Sequence, residues 1–344
     1  MTTRRDLLRS IPALVALRPV RGAGVSFQRI DTHTHIHRQA PVLIDSLEKG
    51  NWKCLSICDS REVGEEKSVL QEMTGGTIEA YRQSRGRLAW ATTFDARYFE
   101  DRDFTSRAIA MVKEHFGEGA IAVKIWKNIG MGIRSKSGEY LLPDHKSLLP
   151  IYEAIQAAGK TVIAHMADLT VAWQPLGATG DGYYRTHPEW HMYGKQGAPS
   201  KEAILDARDR VLAKYPKLRM VGCHIGSNEE ALDRLAKRLY TYPNFAVDVA
   251  SRVRYLTPDI EKSRQFLLKY QDRIIYGTDH TQGDGDLARA AQSLQGVHDR
   301  EWAIFSTTGV VQDQKNPSPG LGLPESVLKK IFHDNAARWI PGIA

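Results

Sequence analysis

Phe27-Gln28-Arg29-Ile30-Asp31-Thr32-His33-Thr34-His35 reads as a short β-strand that closes on polar residues. A doubly wound sheet usually follows its first strand with a Gly-rich phosphate turn. Here that place holds His33-Thr34-His35-Ile36-His37 instead. Seven further apolar or β-branched runs follow, at 52–58, 87–94, 120–126, 161–165, 218–224, 244–249 and 273–279. Helix-period segments separate them, at 101–116, 147–158, 200–215, 228–240 and 258–270. Gly159 closes the second of these as a C-terminal stop. Ser200-Lys201-Glu202 opens the third as a cap with acid in the first turn, and Pro216 ends it. Eight strand–helix alternations without a break in composition predict an α/β fold, a single (β/α)8 barrel rather than two domains. The stretches 166–199 and 284–324, after strands five and eight, read as long loops. In a barrel such loops build the active-site face.

The chain has 344 residues, 42% hydrophobic and 25% charged, close to the globular average. It is long enough to bury a large core without disulfides, and its three cysteines form no CxxC pair. No apolar run reaches the roughly 18 residues of a spanning helix, so stable membrane insertion is not expected. The net charge is +7, of which five arginines and one aspartate in residues 1–24 contribute +4. The basic balance is therefore partly a property of the N-terminal segment, and no nucleic-acid partner is expected. Thr3-Arg4-Arg5-Asp6-Leu7-Leu8-Arg9 resembles a twin-arginine export signal. On that reading 1–24 is a signal-like segment, 25–344 is the barrel, and the protein is exported to the periplasm. A basic tail on a cytoplasmic protein is the alternative.

His33 and His35 share one strand face, because side chains alternate along a strand. Two imidazoles on one side can share a metal ion. His165 ends strand five, His224 strand six and Asp279 strand eight. Barrel side chains at those ends converge on one mouth.

With Ala122-Val-Lys-Ile-Trp126, Val162-Ile-Ala-His165, Val221-Gly-Cys-His-Ile-Gly226, Asn244-Phe-Ala-Val-Asp248 and Ile275-Tyr-Gly-Thr-Asp279, the set resembles the amidohydrolase superfamily. Within it the chain is similar to the amidohydrolase-2 branch of metal-dependent hydrolases and decarboxylases, across about residues 27–340. The resemblance implies a TIM barrel in which His33, His35, His165 and Asp279 bind one divalent metal. Zn²⁺ is the first expectation, with Fe or Mn open. It implies that Asp279 also accepts a proton from water, and that His224 stabilises developing charge or adds a ligand. Lys124 occupies a place where binuclear members carry a carboxylated lysine. The preferred expectation is one metal with Lys124 turned toward substrate.

Arg252 and Arg254 follow strand seven, and one of them is a candidate for holding a substrate carboxylate. Arg185 and Trp190, in the stretch after strand five, are further substrate-binding candidates. Asp248 is a candidate for orienting a ligand. His37 and His280 read as bystanders, His280 because it should point away from Asp279. The expected activity is hydrolysis of an amide, lactam, lactone or ester of a small, anionic molecule. The alternative is non-oxidative decarboxylation of an aromatic or enol acid. A non-catalytic binding protein is disfavoured, because a base candidate accompanies the full ligand set. The sequence leaves a homo-oligomer open.

Overall fold

Strand β1 (Arg29–His35) is buried along its whole length in the computed structural model, which describes residues 25–312 and 317–344. The expected signal segment, 1–24, lies outside the described residues. After β1 come β2 (Trp52–Ile57), β3 (Leu88–Thr92), β4 (Ala122–Ile125), β5 (Thr161–Ala164), β6 (Arg219–Gly222) and β7 (Phe245–Asp248). β8 (Ile274–Ile275) and β9 (His280–Thr281) complete a nine-stranded parallel sheet in the order 8-7-6-5-4-3-2-1-9. The sheet curls back on itself. Between β8 and β9, Tyr276 O accepts from Thr32 N (3.0 Å) and Asp279 N donates to His33 O (2.7 Å).

The eighth strand expected at 273–279 is therefore only Ile274–Ile275, and a further short strand follows at His280–Thr281. The cause is local: Asp279 has φ 66°, which ends an extended run. Gly277 is needed in the same link. A Cβ there would lie 2.8 Å from His33 Cβ, so only glycine lets this segment cross β1 so closely.

Ile30, Leu55, Ala91, Ala122, Ile163, Val221 and Ile275 form one buried cluster with Trp339, Ile340 and Ile343 of the C-terminal segment. Ile30 belongs to this interior, yet so do His33 and His35, which have the opposite parity along the strand. A register shift between Asp31 and Thr34 reconciles them. The bulge moves the side-chain alternation by one residue and turns both imidazoles inward.

Helices Phe104–Gly117, Leu149–Ala157, Lys201–Lys214, Leu232–Thr241 and Ile260–Lys269 stand where periodicity predicts them. Ser200 Oγ accepts from Ala203 N (3.1 Å) and Asp259 Oδ1 from Lys262 N (3.1 Å), as N-caps do. Helices Pro41–Lys49 and Leu70–Arg82 fill the first two connections.

In the stretch 284–324 the described residues form more than a loop. They include the 20-residue helix Leu287–Ser306, capped by Asp286, and the small antiparallel pair β10 (Val310–Val311) and β11 (Ser318–Pro319). The helix buries Ala290, Ala291, Leu294, His298, Glu301, Trp302 and Phe305. Its buried face includes an imidazole and a carboxylate, so an apolar count understates it. The stretch 166–199 is the long connection expected, with short turns at Thr170–Trp173, Gly182–Thr186 and Pro188–Trp190. No described helix is long and apolar enough to cross a membrane.

Glu301 accepts a hydrogen bond from Tyr276 Oη (3.0 Å), which links this helix to the β8–β9 segment. Burial pushes its carboxyl up to about 8, against the smaller opposing pull of Arg300. The folded chain thus favours the protonated acid. Its contribution to stability is present below the ordinary glutamate range and is lost as pH rises toward about 8. Thermal melts of wild type and Glu301→Gln should therefore diverge in slope. The variant should lose less melting temperature between about pH 5 and about pH 9. Parallel slopes would refute this assignment.

Candidate active site

At the carboxyl ends of the strands lies a cavity of about 330 Å³. His33, His35, Lys124, His165, His224, Arg252 and Asp279 all line it, drawn from β1, β4, β5, β6, β7 and β8. The strand-end residues singled out in the sequence are thus brought to one mouth.

Three of the histidines are oriented by oxygen acceptors at Nδ1. His33 Nδ1 lies 2.9 Å from Asp248 Oδ2, His35 Nδ1 2.9 Å from Ile57 O, and His224 Nδ1 2.8 Å from Ala250 O. A carbonyl or ionised carboxylate can only accept, so each Nδ1 carries the proton. In the neutral ring each Nε2 then presents a lone pair. The Nε2 atoms of His33 and His35 both face Asp279 Oδ1, at 3.3 and 3.4 Å. Three electron pairs directed at one point repel unless a cation or extra protons lie between them. This donor set fits a divalent metal. His165 lines the same cavity but lies outside the close group of His33, His35 and Asp279. Its Nε2 is buried with no hydrogen-bond partner among the described residues, and its ring centroid lies 4.3 Å from that of His224.

Burial alone would raise the carboxyl of Asp279; His224, His33 and His35 draw it well below the usual range only when their rings carry positive charge. Burial, then Arg252, pulls His224 down to about 3, so its imidazole is neutral. Asp279 (φ 66°) and His224 (φ 58°) both sit in the left-handed region, uncommon for residues with a Cβ. Such conformations cost about 1–3 kcal/mol and persist where the surrounding structure enforces them.

Asp248 meets His33 directly, the placement that orienting a ligand requires. Besides His33, its Oδ1 accepts from His224 N (2.7 Å) and Ala250 N (3.1 Å). Asp248→Asn would set an amide against His33 Nδ1 and permit the wrong tautomer. Metal affinity should fall about 10–100-fold, measured by competition with a chelator. An unchanged affinity would show that Asp248 does not orient His33.

Lys124 is fully buried; its Nζ lies 3.2 Å from Cys223 Sγ and 3.5 Å from His33 Nε2. No carboxylate pairs with it among the described residues. Arg252 is fastened by Nε to Glu229 Oε1 (2.9 Å) and stands 3.7 Å from Asp168. Arg185 is exposed, pairs with Asp181 at 2.9 Å and does not line the cavity. Trp190 does not line it either. It packs edge-on behind Trp126, with ring centroids 4.7 Å apart, and Trp126 forms the wall.

Other lining residues were not visible as candidates in the sequence. Arg61 makes a forked contact to Asp59 (3.0 and 2.9 Å), and Lys127 pairs with Asp168. Lys127 directly follows the Ala122–Trp126 motif, which was the available signal. Asp59 and Arg61 come just after β2 and carried no motif of their own.

A family model described as Amidohydrolase matches residues 130–341. No curated protein matches in sequence. Solved structures are similar in fold. An uncharacterized TIM-barrel protein from Bordetella bronchiseptica is 15% identical, with TM-score 0.53, covering 92% of this chain and 99% of that one. 2,6-Dihydroxybenzoate decarboxylase from Rhizobium is 11% identical, with TM-score 0.55, covering 91% and 98%. A dihydroxybenzoic acid decarboxylase from Polaromonas, solved with manganese and 2-nitroresorcinol, is 15% identical, with TM-score 0.52, covering 91% and 97%. At these identities the likeness shows the fold, and the neighbours place the curled sheet among TIM barrels.

Proposed function

This chain belongs to the amidohydrolase family, and we propose that it is a metal-dependent hydrolase of a small, anionic amide, lactam, lactone or ester. The observation that carries the reading is the approach of His33 Nε2 and His35 Nε2 to Asp279 Oδ1, at 3.3 and 3.4 Å, with the three ligand atoms all within 4.8 Å of one another. With His165 they would hold one divalent ion, Zn²⁺ by preference and Fe or Mn otherwise. Such an ion would supply Lewis acidity and a water ionised near neutral pH.

The remaining work falls to the chain. Asp279, held as a carboxylate, takes a proton from water and passes it to the leaving atom. His224, neutral with its Nδ1 proton given to Ala250 O, presents a bare Nε2 to the cavity and would add a ligand or accept a hydrogen bond from the substrate. Lys124 Nζ, without a carboxylate partner, faces an acidic group of the substrate. Arg252 and Lys127 add positive charge to the same wall.

Decarboxylation of an aromatic acid is the second reading. It is favoured by the Trp126 wall, over which Arg61 and Lys127 stand at 5.6 and 5.4 Å from the ring centroid. A flat anionic ring would suit that wall. The test is a screen of metal-loaded protein against esters, lactones, amides and aromatic acids. Hydrolysis of one of the first three classes is expected. CO₂ release from an aromatic acid, with no hydrolysis, would replace the first reading with the second.

A further inference from the structure

The active-site cavity does not end at Asp279. Ser251, Arg254, Asp279 and Thr281 line it on one side and line a second chamber, of about 580 Å³, on the other. The far wall of that chamber is helix Leu287–Ser306, which contributes Val297, Arg300, Glu301 and Ile304, with Arg300 standing 3.6 Å from Glu301. The backbone builds the waist between the two spaces. Ser251 and Asp279 have φ of 56° and 66°, conformations that residues with a Cβ seldom adopt. His280 turns away from the first cavity, as alternation requires, and lines the second chamber. Its Nε2 is buried there with no hydrogen-bond partner among the described residues.

The cations of the site differ in their state. Arg61, Lys127 and Arg252 each have a carboxylate partner. Arg254, at the waist, has no carboxylate within ion-pair distance among the described residues; its guanidinium lies 5.2 Å from the Tyr255 ring centroid. A guanidinium left unpaired beside a cavity matches a planar, two-oxygen anion.

We propose that the second chamber receives the distal part of the substrate and that Arg254 holds a carboxylate on that part. Lys124, in the first cavity, holds an acidic group near the reacting bond. Arg254 thus selects substrates by the reach between two acidic groups. The proposal rests on the first cavity being the substrate site.

The test is calorimetric binding to the metal-loaded protein, using inert pairs of equal chain length: butyrate and succinate, valerate and glutarate, hexanoate and adipate, heptanoate and pimelate. At one length or more the diacid should bind wild type at least about ten-fold more tightly than the monoacid. Arg254→Gln should remove that advantage, and so should Val297→Phe, which fills the chamber. Equal affinities at every length, or an advantage that survives Arg254→Gln, would overturn the proposal. An advantage lost in Arg254→Gln but kept in Val297→Phe would overturn the chamber assignment. The measurement needs no turnover. Failure of hydrolysis would therefore leave its outcome standing, and a negative outcome would leave hydrolysis of substrates with a single acidic group untouched.

Discussion

Changing His33 and His35 together to alanine should yield a folded chain that holds no divalent metal and has lost all measurable turnover. Both Nε2 atoms lie within 3.4 Å of Asp279 Oδ1, so the double change removes two of the proposed four donors. The two that remain, His165 and Asp279, come from different strands and do not form a dedicated site for one ion. Activity should fall by at least about 10³-fold, the scale set by losing the group that stabilises transition-state charge. Folding should survive, because the rings contribute few hydrogen bonds to the frame: His33 to Asp248 and His35 to Ile57 O. Removing them also relieves the lone-pair repulsion described above. Metal analysis and thermal melts together check this. Full metal occupancy in the double variant would refute the ligand assignment.

Asp279→Asn should be the most damaging single change. The amide cannot take a proton from water, and losing a positioned base costs about 10²–10⁴ in rate. The substitution is clean at the backbone. Asp279 has φ 66°, and asparagine tolerates that region better than most residues. Metal should be retained, more weakly, through His33, His35 and His165. A variant that hydrolyses at the wild-type rate would remove Asp279 from the role of base. One that folds but holds no metal would make it a ligand first, and its activity would then be recovered in part by excess metal.

Much of this site was legible because its members end apolar runs. His165, His224 and Asp279 each close a segment whose strand character rests on its neighbours, and His33 and His35 are fixed to one face by alternation alone. What was hidden depends on contacts far apart in the chain. The bulge in β1 is visible only in the pairing with β2, where Asp31 meets Cys54 and Thr34 meets Ser56. The break between β8 and β9 follows from the left-handed conformation of Asp279, which no apolar pattern encodes. Helix Leu287–Ser306 buries His298 against Asp31 (2.9 Å) and Glu301 against Tyr276, polar contacts that a hydrophobic period does not register. The Lys127–Asp168 and Arg61–Asp59 pairs join loops after different strands or lie within a loop lacking a motif. Arg185 shows the converse. Its position in the long connection made it a candidate, but its nearest acid, Asp181, is one helical turn away and holds it at the surface.

The decisive measurement removes metal from the wild-type chain with a chelator and follows metal content and turnover on a hydrolysed substrate together. One divalent ion per chain is expected, with turnover lost in proportion to the ion removed and restored when the ion is returned. Full turnover from a metal-free chain would contradict that expectation.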